Sequence, residues 1–388
     1  MSRFHSYVNS AKSILEEYDG GEPFSLFLKS FFRRNKKYGS RDRREIGHLC
    51  YCYFRLGKSI PDIAIEERIL IGLLLCSKSI NDVLANLRPE LSEKVHLSLE
   101  GKLSFMGKQS LIENIFPFKD ELSVGVSHRA LSESFFDQPN LFLRLRPGNE
   151  EFVKNKLQNE EVEFKEVSKS CLSLSNSVKI DQKIQLNKEA VVQDLNSQRM
   201  GELLPSNNTE TTFSVWDCCT GSGGKSILVY DTITNIDLNV TDVRDSILVN
   251  LKSRFKEAGI NSYNSGSVDL SQSTVSLSKS PFDLIIADVP CTGSGTWGRT
   301  PEQLFYFNSD KIKKYVDLQR KIIANTIPHL KPGGQLLYIT CSVFKKENEE
   351  NIEFFKNEYN LDEEKRELFT GYDKRADSMF ACVLTKQN

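Results

Sequence analysis

Between residues 196 and 388, short apolar runs recur, each closing on a polar residue or a thiol before a helix-forming stretch begins. The runs are "FSVWDCC", "NIDLNVTDV", "FDLIIADV" and "GQLLYITCS", with helices expected at about 223–232, 244–258 and 309–330. Apolar strands separated by helices form a parallel sheet covered on both faces. In such sheets ligands bind beyond the carboxyl ends of the strands. Cys219, Asp242, Asp288, Cys291 and Cys341 all fall at or just past those ends.

The rest of the chain reads differently. Apolar residues recur at helical spacing through "IGHLCYCYFRL" and "ERILIGLLLCSKSINDVLANL". "NLFLRLRP", "VEFKEV" and "CLSLS" read as strands around a helical "NEEFVKNKLQNE". Three domains are therefore expected: helical over 1–136, small α+β over 137–195, and α/β over 196–388. The longest apolar run, "ILIGLLLC", is too short to span a membrane, and the N-terminus lacks the apolar core of a signal peptide. A cytoplasmic, monomeric protein with no membrane partner is expected. Nine cysteines with no CxxC pair indicate neither a disulfide framework nor a zinc site. Cys50, Cys52, Cys76, Cys171 and Cys382 read as small buried residues.

The net charge of −1 excludes a global basic field. Charge is uneven, however: residues 29–58 are strongly basic with Phe and Tyr interleaved. Such a cluster either holds phosphates or is a solvated helix face.

"VWDCCTGSGGKSI" (215–227) reads as a strand, a glycine-rich turn and a helix start, and Asp242 follows at the end of the next strand. Glycines let a backbone approach a ligand closely, and an acid at that place grips ribose hydroxyls. Two cofactors compete. "GGKS" with the later "LIIAD" mimics a nucleotide-hydrolysing P-loop, but that pattern needs glycine where Cys219 stands. S-adenosylmethionine (SAM) has a ribose and no phosphates, and suits the acid better.

The paired "DVPCTGSG" and "TCSVFKKENE" place one thiol after each of two strands. A thiolate adding to carbon 6 of cytosine makes carbon 5 nucleophilic enough to accept a methyl group. Cys341 stands between a strand end and an acid-rich helix start; a helix N-terminus, Lys345 or Lys346 would lower its pKa, whereas Glu347 and Glu349 would act the other way. With "DCCTGSGGK" upstream in the right order, residues 190–388 resemble RNA 5-methylcytosine methyltransferases of the ribosomal-RNA and nucleolar-protein-related group.

The resemblance implies a Rossmann-like SAM-dependent methyltransferase domain acting on RNA. It makes Cys341 the nucleophile, Cys291 the thiol that assists release, and Asp288 a contact to the cytosine edge. It lines the SAM site with Asp217, Cys219, Thr220, Gly221, Ser222, Gly223, Gly224, Lys225, Asp242, Asp269 and Asp288. Gln193 and Asp194 match the family's "QD" before the catalytic domain. The chain departs from the family in having Gly221-Ser222 for Ala-Pro and Arg146 for the Asn of Arg-x-Asn, and in an acid, Asp269, one residue out of register. The first domain resembles the NusB-like helical domain of bacterial 16S rRNA methyltransferases, and the middle module their ferredoxin-like RNA-binding extension. That favours ribosomal over transfer RNA. Arg33, Arg34, Arg144, Arg146 and Arg299 are the expected RNA contacts; Arg299 and Pro301 order a substrate loop or a plain turn, and Trp297 either stacks on RNA or packs.

Overall fold

The computed structural model describes residues 2–205, 211–272 and 281–387. They form two compact units. One contains Met1–Leu122, Val126–Gln138 and Thr296–Ser309; the other contains Ser123–Gly125, Pro139–Gly295 and Asp310–Asn388.

The first unit is helical. Helix Ile65–Cys76 buries every residue from Arg68 to Leu75, the pattern of a helix surrounded on all sides. Helices Arg3–Glu17, Phe24–Arg34 and Ser40–Arg55 contribute one apolar face each to the same core. Segment Thr296–Ser309 comes from the carboxyl half of the sequence yet belongs to this unit. Its Phe305 and Tyr306 pack against the helical core, and Tyr306 Oη donates to the Tyr18 carbonyl at 2.7 Å. Trp297 is buried, with ring centroids 4.7 Å from Phe307 and 5.9 Å from Phe116. Of its two expected roles, packing is the one observed. Basic residues are also used internally: Arg55 donates to the carbonyls of Phe135, Asp137 and Gly298, and Arg68 to those of Gly57, Ser59 and Ile60.

The second unit carries two sheets. β1 (Leu141–Leu145), β2 (Phe164–Ser168), β3 (Cys171–Leu174) and β4 (Ala190–Val192) pair antiparallel in the order β2-β3-β1-β4. With helix Glu150–Asn159 between β1 and β2, this is a ferredoxin-like module whose second helix has shrunk to the turn Ile180–Gln182.

The larger sheet comprises β5 (Phe213–Asp217), β6 (Ile236–Asp242), β7 (Asn264–Ser267), β8 (Phe282–Asp288), β9 (Leu330–Thr340), β10 (Leu361–Phe369) and β11 (Met379–Lys386). Its order is β10-β11-β9-β8-β5-β6-β7; β5 to β9 are parallel, and the β10–β11 hairpin lies antiparallel beside β9. Alternate strand residues feed two cores: Val215, Val240, Ile286 and Ile339 on one face, and Trp216, Ile285 and Tyr338 on the other. The winding reverses between β5 and β8, the place where such sheets open a ligand crevice. Both edge strands, β7 ("NSGS") and β10 ("LDEEKRELF"), are polar enough to escape a search for apolar runs.

Candidate active site

Register brings the two thiols together. Asp288 of β8 lies opposite Ile339 of β9, so Cys291 and Cys341, a few residues past that pair, leave the sheet side by side. Their Sγ atoms are 3.3 Å apart, within hydrogen-bond reach and not joined in a disulfide, and all nine cysteines are free. Lys225 Nζ donates to Asp288 Oδ2 at 2.5 Å. Burial presses the Lys225 ammonium toward neutrality, but the Asp288 charge, that hydrogen bond and the neighbouring Cys341 outweigh it and raise its pKa. The Cys291 thiol is pushed well up, first by its hydrogen bond with Cys341, then by burial, by the Cys341 charge and by the Glu347 carboxylate.

The helix after Cys341 begins only at Glu349. A turn therefore separates the thiol from the helix N-terminus, so the helix start expected beside Cys341 lies further along the chain. That turn carries Glu347, which the sequence reading treated only as an unhelpful charge. It is fully buried and accepts hydrogen bonds from Thr292, Ser342 and Gln319. Gly295 packs flat on the same site: its N–H donates to the Cys341 carbonyl at 2.9 Å, and a Cβ there would stand 2.0 Å from the Ser378 carbonyl oxygen.

The glycine loop follows β5. Gly223 has φ +83° and caps helix Gly224–Thr232; a side chain there would meet Phe255 at 2.7 Å. Asp242, closing β6, accepts the Gly221 N–H at 3.0 Å. It also accepts from the backbone N, Nε and Nη2 of Arg244, at 3.0, 2.9 and 3.1 Å. Burial pushes this carboxyl up, but the Arg244 bonds outweigh it and hold it below the usual range. Asp269 stands two residues beyond β7, half-buried and bonded to Ser271 and Gln272. Next to it the Val268 N–H donates to the Asp242 carbonyl.

Several predicted residues sit elsewhere than expected. Asp217 and Thr220 are buried under the loop, not on its open side: Ser226 Oγ donates to Asp217 Oδ2 at 2.6 Å and lies 2.8 Å from Thr220 Oγ1. They brace the loop, while Cys219, Gly221, Ser222 and Gly224 are the accessible part. Arg144 and Arg146 are not presented to a partner. Both guanidiniums close on the buried Asp231 at 2.6 Å, and Arg146 also donates to the carbonyls of Asn187 and Ala258. An acid distant in sequence has turned the expected RNA contacts into a bolt between the module and helix Gly224–Thr232. Gln193 takes the Arg144 Nε and reaches the Gly224 carbonyl, and Asp194 caps helix Leu195–Arg199. Arg299 belongs to the helical unit, where Arg33 and Arg34 are exposed.

A doubly wound sheet with an appended antiparallel hairpin, a glycine loop and an acid on the second strand define the fold class of SAM-dependent methyltransferases. Within it, residues 201–380 match the family 16S rRNA methyltransferase RsmB/F. A ribosomal RNA small subunit methyltransferase B from Cronobacter sakazakii is 32% identical over 164 residues, 42% of this chain and 37% of that protein. A probable methyltransferase of the same name from Bacillus subtilis is 27% identical over 179 residues, 45% of this chain and 38% of that one. The chain thus spans under two-fifths of the length of these relatives. Among solved structures, PH0851 superposes with a TM-score of 0.68 at 20% identity, covering 99% of this chain and 98% of its own. NSun6 from Pyrococcus horikoshii with SFG gives 0.57 at 13% identity, covering 72% and 97%. At these identities the likeness is one of fold.

Proposed function

We propose that this chain transfers a methyl group from SAM to carbon 5 of a cytosine in RNA, and that the RNA is ribosomal. The observation that carries the reading is the pair of free thiols 3.3 Å apart at the ends of adjacent strands, next to the Lys225–Asp288 pair. Neither thiol is tied in a disulfide, and two of them side by side suit a reaction in which one adds and the other assists departure. The names of the matched relatives favour ribosomal RNA. Nine reduced cysteines suit the cytoplasm.

The residues present fit SAM. Nothing stands within 4 Å of the point where a Gly221 side chain would project, so the loop is open there. Gly221, Ser222 and Gly224 would line the cofactor, Asp242 would take the ribose hydroxyls, and Asp269 would flank the base. Bound there, SAM supplies an electrophilic sulfonium methyl group.

In this reading Cys341 Sγ adds as thiolate to carbon 6 of a cytosine taken out of its stack. The ring electrons then move to carbon 5, which takes the methyl group. Asp288 and Lys225 hold the polar edge of the ring and steady the charge that builds there. A solvent base then takes the carbon-5 proton, the C–H electron pair re-forms the 5,6 double bond, and Cys341 leaves carbon 6 as thiolate. Cys291, kept protonated and beside Cys341, gives its proton to that departing sulfur. The helical unit supplies RNA contacts, with Arg33 and Arg34 among its exposed cations.

Denaturing gels with a small-subunit rRNA fragment and a tRNA transcript test this. Cys341→Ala should abolish transfer and form no covalent species. Cys291→Ala should accumulate a covalent RNA adduct, on the ribosomal fragment in preference to the tRNA. An adduct with Cys341→Ala and none with Cys291→Ala would reverse the roles. Calorimetric binding of ATP without SAM would remove the methyltransferase reading altogether.

A further inference from the structure

We propose that Glu347 is a positioning residue whose buried carboxylate ties the segment after Cys291 to the segment after Cys341 and thereby sets the spacing of the two thiols. The inference rests on the reading above only in taking both thiols as partners in one reaction.

Glu347 Oε1 accepts the Thr292 backbone N–H and Gln319 Nε2, each at 2.9 Å. Oε2 accepts Thr292 Oγ1 and Ser342 Oγ, each at 2.5 Å. Thr292 follows Cys291, and Ser342 follows Cys341. One carboxylate oxygen therefore bridges the two thiol-bearing segments directly. Gln319 extends the grip: its Nε2 also donates to the Pro290 carbonyl at 3.0 Å, so both neighbours of Cys291 are held. Asn351 in turn fixes Gln319 Oε1 at 2.8 Å, and Ser294 Oγ lies 3.2 Å from Ser342 Oγ.

A carboxylate is the group this place requires. Four donors converge on four acceptor positions, which an ionised carboxylate provides. An amide would turn its own NH2 toward two of those donors and open the clamp on one side. Burial works against the charge and raises the Glu347 pKa, while the bonds from Ser342, Thr292 and Gln319 oppose that. A fully buried acid costs stability unless every acceptor is used, and here the four bonds all run to the thiol segments or to the glutamine behind them.

The test is a ruler between the thiols that needs neither RNA nor methyl donor. Diamide oxidises a neighbouring dithiol: the two thiols lose two protons and two electrons to form the disulfide, and diamide becomes the hydrazine. In the wild type, peptide mapping should find a rapid Cys291–Cys341 bridge. In Glu347→Gln that bridge should form about tenfold more slowly, with the thermal melt and SAM affinity unchanged. Its kcat should fall about 10²-fold, the cost of an ångström-scale misplacement, while KM for RNA moves little. Unchanged bridging and unchanged kcat in the folded variant would overturn the proposal.

Should Glu347→Gln fail to fold, Thr292→Val keeps the carboxylate and removes one strut. It should slow bridging and turnover in the same direction, and Thr292→Ser should restore both. A valine variant that bridges and turns over like the wild type would equally overturn it. Because bridging reports spacing alone, it stands or falls separately from the gel test of the two thiols' chemical roles.

Discussion

Arginines at two places in this chain read alike in the sequence and fare differently in the structure. Arg33 and Arg34 end helix Phe24–Arg34; Arg34 meets Glu17 at 2.7 Å with both side chains in water, 57% and 42% exposed. Arg144 and Arg146 are 5% and 12% exposed and share Asp231, itself 6% exposed. A basic motif is free to grip phosphates only where no buried acid from elsewhere in the fold has taken it; a pair in water, as Arg34 with Glu17, exchanges readily. Asp231 lies more than 80 residues along the chain from either arginine, so no local pattern betrays the pairing. Arg244 is intermediate: its side chain is 59% exposed, yet it is committed to Asp242.

The sharpest way to break this comparison is Asp231→Ala. It leaves two buried guanidiniums facing each other without a counter-charge and should cost about 3–5 kcal/mol in urea unfolding. Arg33→Glu with Arg34→Glu should stay within about 0.5 kcal/mol for each site. Equal losses at the two places would erase the distinction.

Asp217 extends the contrast to a buried acid with no arginine. Burial, with Asp288 nearby, raises its pKa from 3.8 to about 6, against the pull of Ser226. The folded state therefore favours the protonated acid: its contribution is full below the ordinary value and is lost as pH rises through about 6. Asp217→Asn should gain stability relative to the wild type by about 2–3 kcal/mol between pH ~4 and pH ~7. Urea titrations across that range check it, and a pH-independent difference would contradict it.

Arg244 gives a smaller effect with a telling sign. Gly221 and Arg244 together fill the four acceptor positions of Asp242, so a ribose diol gains its place only as the guanidinium lets go. Arg244→Gln should tighten SAM about threefold, the strength of an exposed ion pair, by calorimetry. Weaker binding would mean that Arg244 holds the cofactor itself.

The smallest effect belongs to the exposed pair. Reversing Arg33 and Arg34 should flatten the log–log salt dependence of single-stranded RNA binding by about 1.4, at about 0.7 per lost phosphate contact. The melt and SAM affinity should stay unchanged. An unaltered slope would take these arginines out of the RNA grip.

Much of the site was legible in the sequence because parallel strands are apolar and end where the chemistry begins. "DLIIADVPC" and "LLYITC" announce β8, β9 and their thiols, and the glycine loop with Asp242 announces the cofactor side. The polar edge strands β7 and β10 carry no such signal. Glu347 was visible inside "KKENE" as one acid among several. Nothing in that run distinguishes it from Glu349, which is not buried.

Strand periodicity, glycine spacing and the two thiol motifs are local properties of the chain, and these the sequence determined by itself: a doubly wound sheet, a nucleoside-type loop and a pair of cysteines at the strand ends. The tertiary structure alone decided which charges are used up and which are left for a partner. It bolted Arg144 and Arg146 to Asp231, packed Trp297 against Phe307, and folded Thr296–Ser309 into the helical unit. It also turned Glu347 onto four donors between the thiols. The physical reason is common to all of these. Burial makes an unpaired charge or donor costly, so each finds its partner in space, and those partners lie at sequence distances that no periodicity records.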